Sequence, residues 1–228
     1  MPAQIHILSA GAVKPGLSKV IEAFRRESGD EAIVSFATAP AISKRIASGE
    51  LFDIAITPQQ VIEELAAQEK IALDNSVTLG RIGVGVMIRT GAPLPNIATV
   101  AALKTALIGA DSLVFNQAST GLYLENLFDQ LGIAEQVKNK TSRYPDFSAV
   151  LTHVSGGQSN EIGFGATTVI IENAGKDVRF VGPLPTEVQN YTTYAAALSA
   201  SASAAAGTLL HYFAMPAARE IFTAAGLE

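Results

Sequence analysis

Short apolar stretches recur along this chain, and between them stand segments whose apolar residues fall three and four apart. That alternation narrows the possible folds more than any other feature. Residues 5–8 form a strand-like run, closed by the small residues Ser9, Ala10 and Gly11. Residues 14–28 place Leu17, Val20, Ile21 and Phe24 at helical spacing, with charges on the other face and Gly29 as a stop. A strand over 32–36, a helix over 41–48, a strand over 52–56 and a helix over 60–68 continue the pattern. Strands alternating with helices at such short spacing predict a mostly parallel sheet covered on both faces.

The run at 77–89 differs. Gly80, Gly83 and Gly85 interrupt Val and Ile residues, as expected of an extended segment that twists and passes close to other backbone. Beyond the turn GAPLPN the alternation resumes. Helices are expected over 99–108, 120–131 and 147–154, and strands over 112–115, 161–164 and 178–181. A return strand over 191–197 and a closing helix over 208–225, kinked near Pro216, complete the chain. The second half therefore reads as a second α/β lobe.

Composition excludes several functions. A formal net charge of −5, with no run of Lys or Arg, offers no electrostatic footprint for nucleic acid. With no cysteine there is no thiolate metal ligand, disulfide or cysteine nucleophile. His6, His153 and His211 are too scattered to suggest a local metal site, so no metal and no cofactor are expected. Nor is membrane insertion, because the most apolar late stretch, 194–210, is short and mostly Ala and Ser. The start MPAQIHILSAG shows neither a basic segment nor a long apolar one, which reads as cytoplasmic, or as periplasmic if a leader has been removed.

In parallel α/β sheets, ligands bind beyond the carboxyl ends of strands, where helix N-termini favour negative charge. Three loops have suitably small residues: Ser9, Ala10, Gly11 and Ala12; Thr38, Ala39 and Pro40; and Asn116 through Ser119, Thr120 and Gly121. Each reads either as simple helix capping or as a seat for an anion. Lys14, Arg81 and Arg143 are candidate partners for that anion, or merely solvated charges. Arg81 stands in an apolar run, where an Arg needs an anionic partner. Tyr123 reads as core packing and His153 as a surface or capping residue. Glu161, before a buried strand, either pairs with an Arg or transfers protons.

Several segments carry a family likeness: ILSAGAVKPGLSKVIEAFRRESG, SFATAPAISKRIASGELFDIAI, LGRIGVGVMIR, ASTGLYLENLFDQLG, EIGFG and AMPAAREIFTAAG. Together they resemble the molybdate-binding-protein-like branch of type II periplasmic solute-binding proteins, over nearly the whole chain. The resemblance implies a two-lobed fold, each lobe a mostly parallel sheet flanked by helices, joined by two crossing strands. Lobe 1 would be 1–80 plus 192–228 and lobe 2 would be 81–191, with hinges near 78–88 and 188–196. It also implies a small anionic ligand in the interlobe cleft and, as partners, the membrane subunits of an ABC transporter. Where the molybdate binders carry a Ser, a serine-rich loop and a Tyr, this sequence has Ala12, Thr38-Ala39-Pro40 and Gly165. With Arg81 and Arg143 added, that points to a carboxylate. The branch includes aconitate-isomerase-like members, so the alternative is an isomerase of a polycarboxylate such as cis- or trans-aconitate. Glu161, Tyr144 and Lys14 are then the candidate acid/base groups.

Overall fold

The computed structural model describes residues 3–175 and 177–228, and of residues 72–75 the backbone alone. The chain runs β1 (Gln4–Ala10), α1 (Lys14–Ser28), β2 (Glu31–Ala37), α2 (Ala39–Ala47), β3 (Ile54–Pro58), α3 (Gln59–Ala67) and then the long β4 (Ile71–Arg89). Next come α4 (Val100–Gly109), β5 (Ser112–Asn116), α5 (Ser119–Gln130), α6 (Ala134–Val137), β6 (Thr141–Tyr144), α7 (Phe147–Gly156), β7 (Glu161–Ala166), α8 (Thr167–Asn173) and β8 (Val178–Pro183). It closes with β9 (Tyr191–Ser199), α9 (Ala204–Ala214) and α10 (Pro216–Ala224). Two compact units result, Met1–Ile82 with Thr192–Glu228, and Gly83–Tyr191. The chain leaves the first unit within β4 and re-enters it at the start of β9.

In the first unit β1 pairs in parallel with β2 on one side and β3 on the other, while β9 runs antiparallel to β3. Ile54, Ala55 and Ile56 are fully buried, as a strand covered on both faces requires. On one face α2 and α3 pack Ile42, Ile46, Ile62 and Leu65 against Leu8, Ala55 and Ala197. Leu17, Phe24, Leu209, Phe213 and Phe222, from α1, α9 and α10, are also buried. Asp53 ties the loops together. Its carboxylate accepts N–H bonds from His6 and from Ser203, both at 2.9 Å.

In the second unit β5 pairs in parallel with β6 and β7, and β4 runs antiparallel to β7 and β8. Alternate side chains of the sheet feed two cores. Phe115 and Phe164 face Leu124, Leu127 and Phe128 of α5. Val114 and Met87 lie in the core of Val150 and Val154 from α7.

Three local expectations are corrected. The closing helix is two helices, not one kinked helix. Met215 between them is extended (φ −69°, ψ 149°), because the ring of Pro216 disfavours helical geometry in the residue before it. Arg143 and Tyr144 lie in strand β6, a stretch to which no strand is assigned from the sequence. The short α6 and α8 were not foreseen, since a helix of one or two turns shows too little periodicity to read.

Candidate functional site

Among the described residues α1, α2, α3, α5, α7 and α8 follow the parallel strands, and their starts decide where an anion could be held. In the first unit, Ala10 of β1 is in register with Ala37 of β2, so the turns that follow leave the same edge side by side. Residues Gly11–Val13 form a 3-10 turn into α1, and Thr38 is the N-cap of α2. Neither start carries a side-chain cap, and the same is true of α3, which begins after Pro58. The first amides of a helix have no intrahelical acceptor. Thr38 is an N-cap whose hydroxyl makes no cap bond, and Pro40 has no N–H to satisfy. Ser9 is fully buried, with its Oγ donating to the Ala10 carbonyl at 3.2 Å. A Cβ on Gly11 would meet nothing within 4 Å, so that backbone lies open.

In the second unit, Asn116 ends β5 and its Oδ1 accepts the Ala118 N–H at 3.2 Å. After that turn the helix begins one residue earlier than expected. Ala118 is the N-cap, without a side-chain cap bond, and Ser119, Thr120 and Gly121 form the first turn of α5 rather than its cap. Gly121 is obligatory for packing, because a Cβ there would stand 1.9 Å from the Asn116 carbonyl oxygen. The α7 start contrasts with these. There Asp146 Oδ1 accepts the Ala149 N–H at 2.9 Å, placing a carboxylate where an anion would otherwise sit. The Phe147 ring takes the space that a side chain at Gly165 would need.

The charged candidates are variously placed. Lys14 is exposed in the first turn of α1, its ammonium 5.6 Å from the centre of the Phe36 ring. Arg81 pairs with Glu228 at 3.1 Å, and the two residues also exchange backbone hydrogen bonds at 2.8 and 2.9 Å. Arg143 bonds Glu125 of α5 and lies 5.8 Å over the Phe115 ring. Tyr144 shares a hydrogen bond of 2.7 Å with His153 Nδ1, so its hydroxyl turns toward α7. Glu161 stands at the opposite, amino end of β7, in register with Ser112, the first residue of β5. Only 6% exposed, it accepts from Ser159 N–H and Oγ through Oε1, while Oε2 is buried without a partner. Of the three acid/base candidates, Lys14 and Tyr144 thus lie at carboxyl ends of parallel strands and Glu161 does not.

Two polar contacts near α5 escaped the sequence reading, which took Tyr123 as core packing. Tyr123 donates its hydroxyl to the Val188 carbonyl at 2.7 Å, and burial pushes its pKa above the ordinary value. Gln189 bonds both the N–H and the carbonyl of Val84 through its side-chain amide, at 2.8 and 3.0 Å. Nothing local in the sequence marks either contact. Among the described residues there is no group of three His, Asp or Glu residues able to hold a metal, and no helix is long and apolar enough to cross a membrane. A shallow concavity of about 1010 Å³ lies in the second unit between residues 94–98 and 181–187. Its walls are largely apolar, with Glu187 the one charged side chain, so it is a poor receptor for an anion.

Comparison with known proteins follows the same lines. The sequence profile described as "Bacterial extracellular solute-binding protein" matches residues 5–228. A curated relative, the aconitate isomerase of a Pseudomonas species, is 27% identical over 98% of this chain and 87% of its own length. Among solved structures, the periplasmic molybdate-binding protein of Azotobacter vinelandii aligns with a TM-score of 0.83 at 17% identity, over 98% of both chains. The sulfate-binding protein SubI of Mycobacterium tuberculosis aligns with a TM-score of 0.74 at 19% identity, over 99% of this chain and 86% of the other.

Proposed function

The chain belongs to the family of bacterial extracellular solute-binding proteins, and on that footing we propose that it binds a small anion, a carboxylate. The candidate seats, each considered within its own unit, are the turns at Ser9–Ala12 and Thr38–Pro40 in the first unit and the turn at Asn116–Gly121 in the second. The observation that carries this reading is the absence of a side-chain cap at the starts of α2 and α5, where amides and helix dipole favour negative charge. A carboxylate is favoured over a tetrahedral oxyanion because hydroxyls are scarce in the first-unit turns. Thr38 offers one, while the Ser9 hydroxyl is buried on Ala10. The relative matched along nearly the whole sequence takes its name from a tricarboxylate, which supports the same choice. As a receptor the protein would deliver its ligand to ABC-transporter membrane subunits, working outside the inner membrane.

The test is a calorimetric and thermal-shift panel of cis-aconitate, trans-aconitate, citrate, molybdate, tungstate, sulfate and phosphate. A ligand present at a hundred times its Kd stabilises the native state by about 2.7 kcal/mol. A response to molybdate or tungstate alone overturns the carboxylate assignment, and no response to any member overturns anion binding.

A second reading, isomerisation of cis- and trans-aconitate, is favoured by that same relative. The reaction needs one group to take a proton from the methylene carbon and return one to the delocalised carbanion, with donors holding the charge that develops on the carboxylate. Lys14 and Tyr144 are the candidates for proton transfer, and the α5 amides for holding charge. In this role the protein works in the cytoplasm. Incubation with cis-aconitate, followed by proton NMR, decides it: an unchanged spectrum at high protein concentration removes the enzyme reading.

A further inference from the structure

The chain enters the second unit at Gly83–Val84 and leaves it at Gln189–Tyr191, and one side chain joins the two passages. The Gln189 Oε1 accepts the Val84 N–H at 2.8 Å, and its Nε2 donates to the Val84 carbonyl at 3.0 Å. The same Oε1 also accepts the Asn190 N–H at 2.9 Å. A primary amide thus reaches both backbone groups of one residue, whose carbonyl also accepts the Leu184 N–H at 3.1 Å. Gly83 allows this approach, since a Cβ there would lie 3.2 Å from the Gln189 amide carbon and 3.3 Å from the Tyr191 ring. One residue earlier, the Val188 carbonyl receives the Tyr123 hydroxyl at 2.7 Å. Tyr123 belongs to α5 and stands four residues after Ser119, so the two share a helix face.

A path therefore runs from α5 to Val84: the helix carries Tyr123, its hydroxyl bonds the Val188 carbonyl, the peptide link leads to Gln189, and the Gln189 amide bonds Val84. We infer that Tyr123 and Gln189 are positioning residues that couple the α5 start to the two passages by which the chain enters and leaves the second unit. That the load on α5 is an anion rests on the function proposed above, whereas the coupling itself is a property of the ligand-free protein. A ligand seated on the α5 amides pulls on a rigid helix. The Tyr123 hydroxyl then hands that displacement to the segment whose side-chain amide grips β4.

Residue-resolved hydrogen exchange of the full chain without ligand tests the coupling. In Tyr123→Phe, which keeps the ring and the fold, the Val84 N–H is expected to exchange about fivefold faster, as loss of one net hydrogen bond to its support dictates, while the amides of β1 are unchanged. Gln189→Leu removes both contacts and speeds Val84 exchange further. Gln189→Glu keeps the acceptor for Val84 N–H, loses the donor to its carbonyl, and falls between. Val84 exchange in Tyr123→Phe equal to that of the native protein overturns the coupling. So does acceleration that spreads equally to β1, which marks a general loss of stability. With cis-aconitate at saturation the Val84 amide of the native protein slows and that of Tyr123→Phe does not. Absence of any calorimetric signal for cis-aconitate, molybdate or sulfate counts against the anion reading, with the coupling still judged by the ligand-free exchange.

Discussion

Replacing Asp53 with Asn tests how this fold is tied together. Its two carboxylate oxygens serve two donors far apart in sequence, Oδ2 taking the His6 N–H and Oδ1 the Ser203 N–H, each at 2.9 Å. Its backbone is held as well, donating to the His6 carbonyl and accepting from Ser199, both at 2.8 Å. Asn offers one acceptor where two are needed, so one N–H must face the new NH2 group. Hydrogen bonds to a charged group contribute about 1.5–3 kcal/mol each, and the site is only half-buried, so the lower end applies. We expect Asp53→Asn to lose about 2 kcal/mol at neutral pH. Burial alone would raise the Asp53 carboxyl, but the N–H donors of His6 and Ser203 outweigh it and hold the group below its usual range. A carboxyl lowered in the native state stabilises fully above its unfolded value, and that contribution disappears as pH falls through the native value. The gap between native protein and variant should therefore be constant above about pH 5 and narrow below about pH 4. Urea unfolding followed by circular dichroism at three pH values, with unchanged m, measures it. A loss under about 0.5 kcal/mol at neutral pH refutes the argument, because surface substitutions without a role fall in that range.

Other outcomes follow from the same geometry. Gly121→Ala drives a Cβ into the Asn116 carbonyl, so the first turn of α5 must shift; we expect about 3 kcal/mol of destabilisation by urea titration and loss of calorimetric anion binding. Arg81→Gln breaks a pair whose side chains are 53% and 56% exposed, and chemical denaturation should detect no more than about 1 kcal/mol. If cis-aconitate is turned over, Glu161→Gln should change kcat less than about threefold in a spectrophotometric assay, because Glu161 stands at the amino end of β7, about 16 Å along the strand from the helix starts. Tyr212→Phe removes a hydroxyl that donates to Glu27 at 2.8 Å but keeps the ring against Phe24, so a loss of about 1 kcal/mol is expected in thermal unfolding.

Much of the fold was legible because its signals are local. The spacing of Leu17, Val20 and Phe24 dictates which face of α1 is buried, and the unbroken apolar run Ile54-Ala55-Ile56 requires cover on both sides. The likeness to the solute-binding branch was also carried by the sequence itself, and the family match spans residues 5–228. Contacts between distant segments had no such signal. Arg81 finds Glu228, 147 positions later, and Gln189 finds Val84 across 105. Even the α5 cap moved by a residue, with Ala118 as N-cap and Ser119 already inside the helix. Periodicity and turn chemistry are written in neighbouring residues, so sequence alone determines the elements and the edge of each sheet at which helix starts gather. Which polar groups remain for a ligand depends on the acceptors and donors that folding brings to them, and only the tertiary structure decides that.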